Sequence, residues 1–369
     1  MKRMVSVCLA VIIALSGCGH NQATDSSDKS VPASLAPSAH VEPVELAQRL
    51  SLKDTQDFVV LDYWDDMALI LVSNPAQRNE LDINDQLVTT YYESFVLFDL
   101  SAGAVAQQYP LERFGICKSA LSVFDGVLFS FFTVTPAGEM QFSICFLDGQ
   151  GVHSVYQSGQ SAFGMGPVLR RFEQAVLFSF YDDVDASFGV KKINADFTVE
   201  PVLSFDGEEV DYAADELKVA ESRYAYMVGE ADCATFYIGG GGQPPVRVAL
   251  EAGQQIYGFD INQDTLVVSI AAGPPFLFET FDLHTGEGKG QLTVPLPLYS
   301  LSVNGQMQMC GFYYSTLKLY ELGNDVMQEI SLDTIVQGSF YDIFLSGNQF
   351  LVVIYSFDAL PKLWLLPMK

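Results

Sequence analysis

Histidine is nearly absent from this chain: there are 4 in 369 residues, and only His153 and His284 lie beyond residue 43. A zinc site built on several histidines is thereby excluded. Cations are scarce as well, with 19 Lys and Arg against 45 Asp and Glu and a formal net charge of -26. A field of that sign repels phosphate backbones, so nucleic acid is not an expected partner. The motifs HExxH, GxSxG and GxxxxGK[ST] do not occur. No CxxC pair is present among the 6 cysteines, which removes the usual metal-ligand spacing. No stretch beyond residue 43 carries a clear amphipathic helical period.

What is present begins with "MKRMVSVCLAVIIALSGC" (1–18), two cations followed by an apolar run too short to span a bilayer core. This is the form of a signal peptide, expected over 1–17. Leu15, Ser16, Gly17 and Cys18 resemble the lipobox of bacterial lipoproteins, in which cleavage precedes a lipidated cysteine. Acyl burial contributes about 0.8 kcal/mol per methylene, so two or three chains on Cys18 would hold the protein at a membrane. By the sorting rule of such lipoproteins, Gly19 in place of Asp implies the outer membrane. Residues 18–42 then form the lipidated Cys18 and a tether rich in Ser, Ala, Pro and Asp, with an r.m.s. span of roughly 25–30 Å.

Residues 43–369 read as one all-β domain. Short apolar segments alternate with Gly, Asn, Asp and Pro turns. They recur as a unit, clearest in "IYGFDINQDTLVVSIAAGPPFLFETFDLHTGEGKGQLTVPL". First-strand starts fall at Phe58, Ser119, Pro167, Tyr212, Ile256, Tyr299 and Phe340. The steps settle to roughly the low forties, the period of propeller blades. The expectation is a β-propeller of seven four-stranded blades, with six blades or tandem β-sandwiches as the alternatives. The last unit supplies three strands, so "PVELAQRLSL" (43–52) is expected to add the fourth and close the ring. Residues 73–94 are a polar insertion between the second and third strands of the first unit. Continuous apolar second strands such as "VLFSFF" and "FLVVIYS" fit sheets covered on both faces, and 27 Phe with 17 Tyr supply the wedge between blades.

In a propeller the second-to-third strand loops and the connections between blades emerge on one face, where ligands bind. That places Tyr181, Asp182, Asp183 and Asp185 of "YDDVDASFG" beside Glu208 and Glu209 of "DGEEVDYAADE". Arg113, Tyr91, Tyr92, Tyr313, Tyr314, Tyr355, Phe357 and Asp358 join them, aromatic and charged groups suited to a protein, peptide or glycan ligand. Oxygen-rich loops suit Ca2+, although neither acidic cluster matches D-x-[DN]-x-[DN]-G. Paired carboxylates at glycosidase separation would instead make a carbohydrate-active hydrolase or lyase. Trp64, Asp65, Asp66, Arg170 and Arg171 are expected at first-to-second strand turns on the opposite face, and "GGGG" (239–242) at a third-to-fourth strand turn. Cys117, Cys145, Cys233 and Cys310 allow a disulfide or buried thiols.

Lipobox, tether and β-units together resemble the TolB-like or six-bladed propeller lipoproteins of Bacteroidetes. Those carry inter-blade loops of the form G-x-G-P-G-E-[FY], of which "GQSAFGMGPVL" is a degraded version without the Glu-aromatic ending. The resemblance implies an envelope-held binding protein and six blades where the repeat count gives seven. It carries over no catalytic residue.

Overall fold

The computed structural model describes residues 44, 46–74, 79–82, 86–89, 92–111, 116–134, 140–160, 167–182, 187–206, 217–229, 234–251, 253–271, 276–294, 299–313, 316–321, 326–330, 340–347, 349–356 and 359–367. After a four-residue helix α1 (Leu46–Arg49), every element among the described residues is a strand. Sheet 1 holds β1 (Asp57–Trp64), β2 (Met67–Ser73), β5 (Tyr92–Asp99) and β6 (Ala104–Pro110), with the hairpin β3 (Asn79–Asp82) and β4 (Gln86–Thr89) inserted where the polar segment was expected. Sheet 2 holds β7 (Ile116–Val123), β8 (Gly126–Val134), β9 (Met140–Asp148) and β10 (Gly151–Gln160). Sheet 3 holds β11 (Leu169–Phe172), β12 (Ala175–Asp182), β13 (Ser187–Ile193) and β14 (Val199–Asp206). Sheet 4 holds β15 (Leu217–Ala220), β16 (Arg223–Val228), β17 (Thr235–Gly240) and β18 (Gln243–Ala249). Sheet 5 holds β19 (Gln255–Ile261), β20 (Thr265–Ala271), β21 (Phe276–Asp282) and β22 (Gly288–Val294), and sheet 6 holds β23 (Tyr299–Val303), β24 (Gln308–Tyr313), β25 (Thr316–Glu321) and β26 (Val326–Ile330). The last sheet has three strands, β27 (Phe340–Ser346), β28 (Gln349–Ser356) and β29 (Ala359–Pro367).

All pairings within these sheets are antiparallel meanders. The first strands β1, β7, β11, β15, β19, β23 and β27 touch one another in that order, and β27 returns to β1. A closed ring rules out tandem sandwiches. It also corrects the expectation of seven four-stranded blades: six sheets have four strands and the last has three. The segment expected as a closing strand contributes a single bridge, with Val44 N donating to Leu363 O at 2.7 Å, before the chain turns into α1. Leu46, Ala47, Gln48 and Arg49 are good helix formers, and their propensity ends the strand after that bridge.

Burial follows position in the sheet. Ala68–Val72 of β2, Val176–Phe180 of β12, Thr265–Ile270 of β20 and Phe350–Ile354 of β28 are buried without a break. Fourth strands β6 and β18 are exposed at all but one or two positions. Second strands are covered on both faces, so alternation disappears from their sequences. The buried clusters lie between sheets: Leu71, Phe95, Phe129 and Cys145 join sheets 1 and 2, and Phe236, Phe259 and Leu266 join sheets 4 and 5. Each such side chain contributes about 1.5–3 kcal/mol of burial.

First and last sheets meet through specific contacts. Tyr355 Oη lies 3.2 Å from both Val60 N and Val60 O, accepting from the first and donating to the second. Tyr63 Oη donates to Gln349 Oε1 at 2.7 Å, and Asp65 N donates to Ser346 Oγ at 2.7 Å. In the glycine run, Gly241 and Gly242 form the turn between β17 and β18 with φ of 64° and 71°. Gly240 cannot carry a side chain, because a Cβ there would sit 2.0 Å from Ser222 O.

Candidate functional site

Residues expected on the loop face divide by visibility. Arg113, Asp183, Asp185, Glu208, Glu209, Tyr314, Phe357 and Asp358 lie outside the described residues, as do Tyr91 and Cys233. Tyr181 and Asp182 end β12 and Tyr313 ends β24, at the edge leading into those loops. Tyr92 is spent on structure, its hydroxyl accepting from Cys117 N at 3.1 Å across sheets 1 and 2. Tyr355 is the ring-closing tyrosine just described, not a surface aromatic.

At the other end of the ring, carboxylates are consumed by their own turns. Asp99, Asp148 and Asp282 each close a third strand. Asp99 Oδ1 accepts from Ala102 N at 2.8 Å, Asp148 Oδ1 from Gln150 N at 2.7 Å, and Asp282 Oδ1 from His284 N at 2.8 Å. Asp196 does the same for Thr198 N at 3.0 Å. These backbone donors favour the ionised form; the His284 amide leads in holding Asp282 down to about 2. Part of the acidic excess is therefore turn chemistry.

Arg170 and Arg171 correct another expectation. They sit inside β11, not at its turn, and point to opposite sides of it. Arg171 reaches back across sheet 2: Nη1 donates to Ser122 O at 2.6 Å, Nη2 pairs with buried Asp62 of sheet 1, and the guanidinium lies 4.1 Å over the Trp64 ring. Burial raises the Asp62 carboxyl, and Arg171 opposes that shift. Arg171 is thus a clamp holding three sheets together. Its buried Nε has no hydrogen-bond partner among the described residues.

Arg170 reaches forward, with Nε donating to Leu217 O of β15 at 3.0 Å. It belongs to a set that the repeat hides. Asp62 pairs with Leu69, Arg170 with Leu177, Lys218 with Ala225 and Asp260 with Val267, the same rung of the first hairpin in sheets 1, 3, 4 and 5. Asp342, opposite Val353, stands two rungs further along the last sheet. Lys118 is the extra residue of a bulge between Cys117 and Ser119, a device that re-aims a side chain. All six are on innermost strands. Arg170 acts electrostatically on Asp62, Lys118, Asp260 and Asp342, and Lys218 on Asp260 and Asp342. Sheet 3 and the last sheet are not neighbours in the ring, yet Arg170 acts on Asp342.

Solvent reaches this set, since Lys118 and Asp342 are exposed, yet protein encloses it. Desolvation raises Asp342 to about 6 against a hydrogen bond with Tyr355 and the two cations. It raises Asp260 as well, whose carboxylate accepts from Val303 N at 2.8 Å, and it lowers Lys118 with help from Arg170. Among the described residues no group of three or more His, Cys, Asp and Glu is placed to hold a metal ion. Cys117, Cys145 and Cys310 are free, and burial pushes Cys117 up to about 12 and Cys145 up to about 11. As protonated thiols they are packing groups, not nucleophiles.

No protein-family model and no curated protein matches the chain. Solved structures do. Kluyveromyces lactis Hsv2 is similar at 12% identity and a TM-score of 0.53, over 85% of this chain and 98% of that one. The chain is a β-propeller. The Neurospora crassa Pan2 WD40 domain is similar at 12% identity and a TM-score of 0.50, covering 86% of this chain and 98% of that one. A Mycobacterium tuberculosis puromycin-hydrolyzing peptidase is similar at 7% identity and a TM-score of 0.53, covering 91% of this chain and 54% of that one. These identities speak to fold alone, and a propeller shared by a peptidase and a WD40 domain does not choose between catalysis and binding. Among the described residues no helix is long and apolar enough to cross a membrane.

Proposed function

We propose that this propeller is a binding module for a protein, peptide or glycan, held at the outer membrane by a lipid on Cys18. One observation carries the binding reading: the two ends of the ring are unequal. At one end strands are joined by turns of a few residues, such as Asp65–Asp66 between β1 and β2. At the other, β14 stops at Asp206 and β15 starts at Leu217, while β26 stops at Ile330 and β27 starts at Phe340. Long connections on a rigid scaffold are where recognition residues accumulate. Tyr181 and Asp182 end β12 and Tyr313 ends β24, leading toward that end. We further infer that the three-stranded sheet is a seventh blade completed by Val44. This arrangement brings the chain from its tether directly onto the outer edge of the ring.

A thermal-shift screen of glycan and peptide libraries tests the reading, because a specific ligand raises the melting temperature by mass action. A saturable rise that disappears when 207–216 is replaced by a Gly-Ser linker is the expected outcome. A rise unaffected by that replacement, or by substitution of Asp182 and Asp183, contradicts the assigned face. Cys18→Ala separates address from binding: it should release the chain from the membrane fraction and leave the thermal response intact.

A further inference from the structure

The turn end of the ring carries a cavity of about 320 Å3 where sheets 2 and 3 meet. Val123 at the end of β7 and Phe124 in the turn after it form one wall, Ala175 at the start of β12 and Ala195 of the β13–β14 turn form another, and Arg171 and Glu173 complete the lining. The Arg171 guanidinium adds no uncompensated charge, because Ser122 O, Asp62 and the Trp64 ring already engage it. Two of the wall positions have a left-handed backbone, with φ of 55° at Phe124 and 52° at Glu173. Glycine or asparagine adopts that region at less cost, and a phenylalanine there is a genuine outlier. Packing holds it in place: the Phe124 ring meets Phe197 edge-on at 5.8 Å, and Phe197 meets Phe146 at 4.7 Å. Phe124 nonetheless stays partly exposed beside the cavity.

The rim is acidic. Asp125, Glu173 and Asp196 are exposed, one on each of the three turns that frame the cavity. The two lysines of β13 are occupied elsewhere, Lys191 against Tyr156 and Phe180 and Lys192 in an ion pair with Glu200. We propose that this cavity docks one large apolar side chain presented by a cationic segment of a partner protein. Its volume of about 320 Å3 stands at the small end of the range for ligand pockets and matches a single side chain, not an extended peptide. Interfaces concentrate their binding in such an anchor, while charges at the rim select the partner by complementarity. The surface lies at the end of the ring opposite the long connections and does not rest on the reading of that face.

Fluorescence anisotropy of the full chain in detergent with three labelled pentapeptides, KRFRK, KRSRK and EDFDE, tests the proposal. KRFRK should bind saturably at one per chain, KRSRK at least tenfold more weakly, and EDFDE not at all. Phe124→Gly and Glu173→Gly both suit the backbone at their positions, so each should keep the native circular dichroism. The first removes an apolar wall and should weaken KRFRK at least tenfold; the second removes a rim charge and should weaken it at least threefold. Absence of KRFRK binding overturns the proposal, as does equal binding of KRSRK, which would mean attraction by net charge alone. Equal binding of EDFDE, or unchanged affinity in both folded variants, overturns it too.

Discussion

Arg170 and Arg171 are consecutive residues on one short strand and do different work. Arg171 turns toward sheets 1 and 2, where a buried carboxylate, a carbonyl and an indole face take up its charge. Arg170 turns toward sheet 4, where it bonds Leu217 O, and acts on acids two and three sheets away around the ring. The same contrast holds for the acids. Backbone amides lower the carboxyls of Asp99, Asp148 and Asp282 at the turn end, whereas burial raises those of Asp260 and Asp342 against the hydrogen bonds from Val303 N and Tyr355.

Breaking the clamp should have the largest effect. Arg171→Met leaves Asp62 buried beside Tyr63 N alone and removes the stacking on Trp64. Unfolding in urea should report a loss of about 3–5 kcal/mol, the usual result of orphaning one member of a buried pair. Arg170→Met removes the hydrogen bond to Leu217 O, orphans no buried carboxylate of its own, and should cost less than Arg171→Met in the same experiment. Equal losses at the two positions would erase the distinction between them.

Tyr355→Phe should cost about 1 kcal/mol, since the hydroxyl joins the last sheet to both backbone groups of Val60. The pH dependences are smaller and opposite in sign. At the turn end the folded pKa values lie below the ordinary carboxylate value, so the stability they contribute is present at neutral pH and lost as pH falls through the folded values, to about 2 for Asp282. Asp342 has a folded value of about 6, above its ordinary 3.8. Its contribution is full below the ordinary value and lost as pH rises through 6. Subtracting Asp342→Asn stability from wild-type stability should therefore give a difference that declines between pH 4 and pH 7 and is flat beyond. A difference that grows with pH would reverse the sign.

Much of the architecture was legible in the chain. The recurrence of strand groups, the insertion at 73–94, the "GGGG" turn and the run of apolar second strands each follow from periodicity and turn chemistry, which are local. Closure was half legible: the need for a partner to the last three strands could be read from the count, but the helix propensity of Leu46–Arg49 limited that partner to one bridge. The channel was missed. Its signal was the charged residues inside several largely apolar first strands, in "LDYW", "CKSAL", "LRRF", "ELKVA", "GFDIN" and "FYDIF". Taken singly, each resembles an ordinary edge charge. Only the common rung and the closed ring bring them to one lumen, and both depend on contacts more than 40 residues apart, such as that between Arg170 and Leu217.

At Asp342 burial acts against two cations and a tyrosine hydrogen bond, and burial prevails. The most direct measurement is an NMR titration of the Asp342 side-chain carboxyl in the intact chain. A midpoint near 6, moving higher still in Tyr355→Phe because that change removes a hydrogen bond favouring the carboxylate, is the predicted result. A midpoint at or below 3.8 in the wild type would mean that Lys218 and Arg170 already pair with it, and would contradict the account.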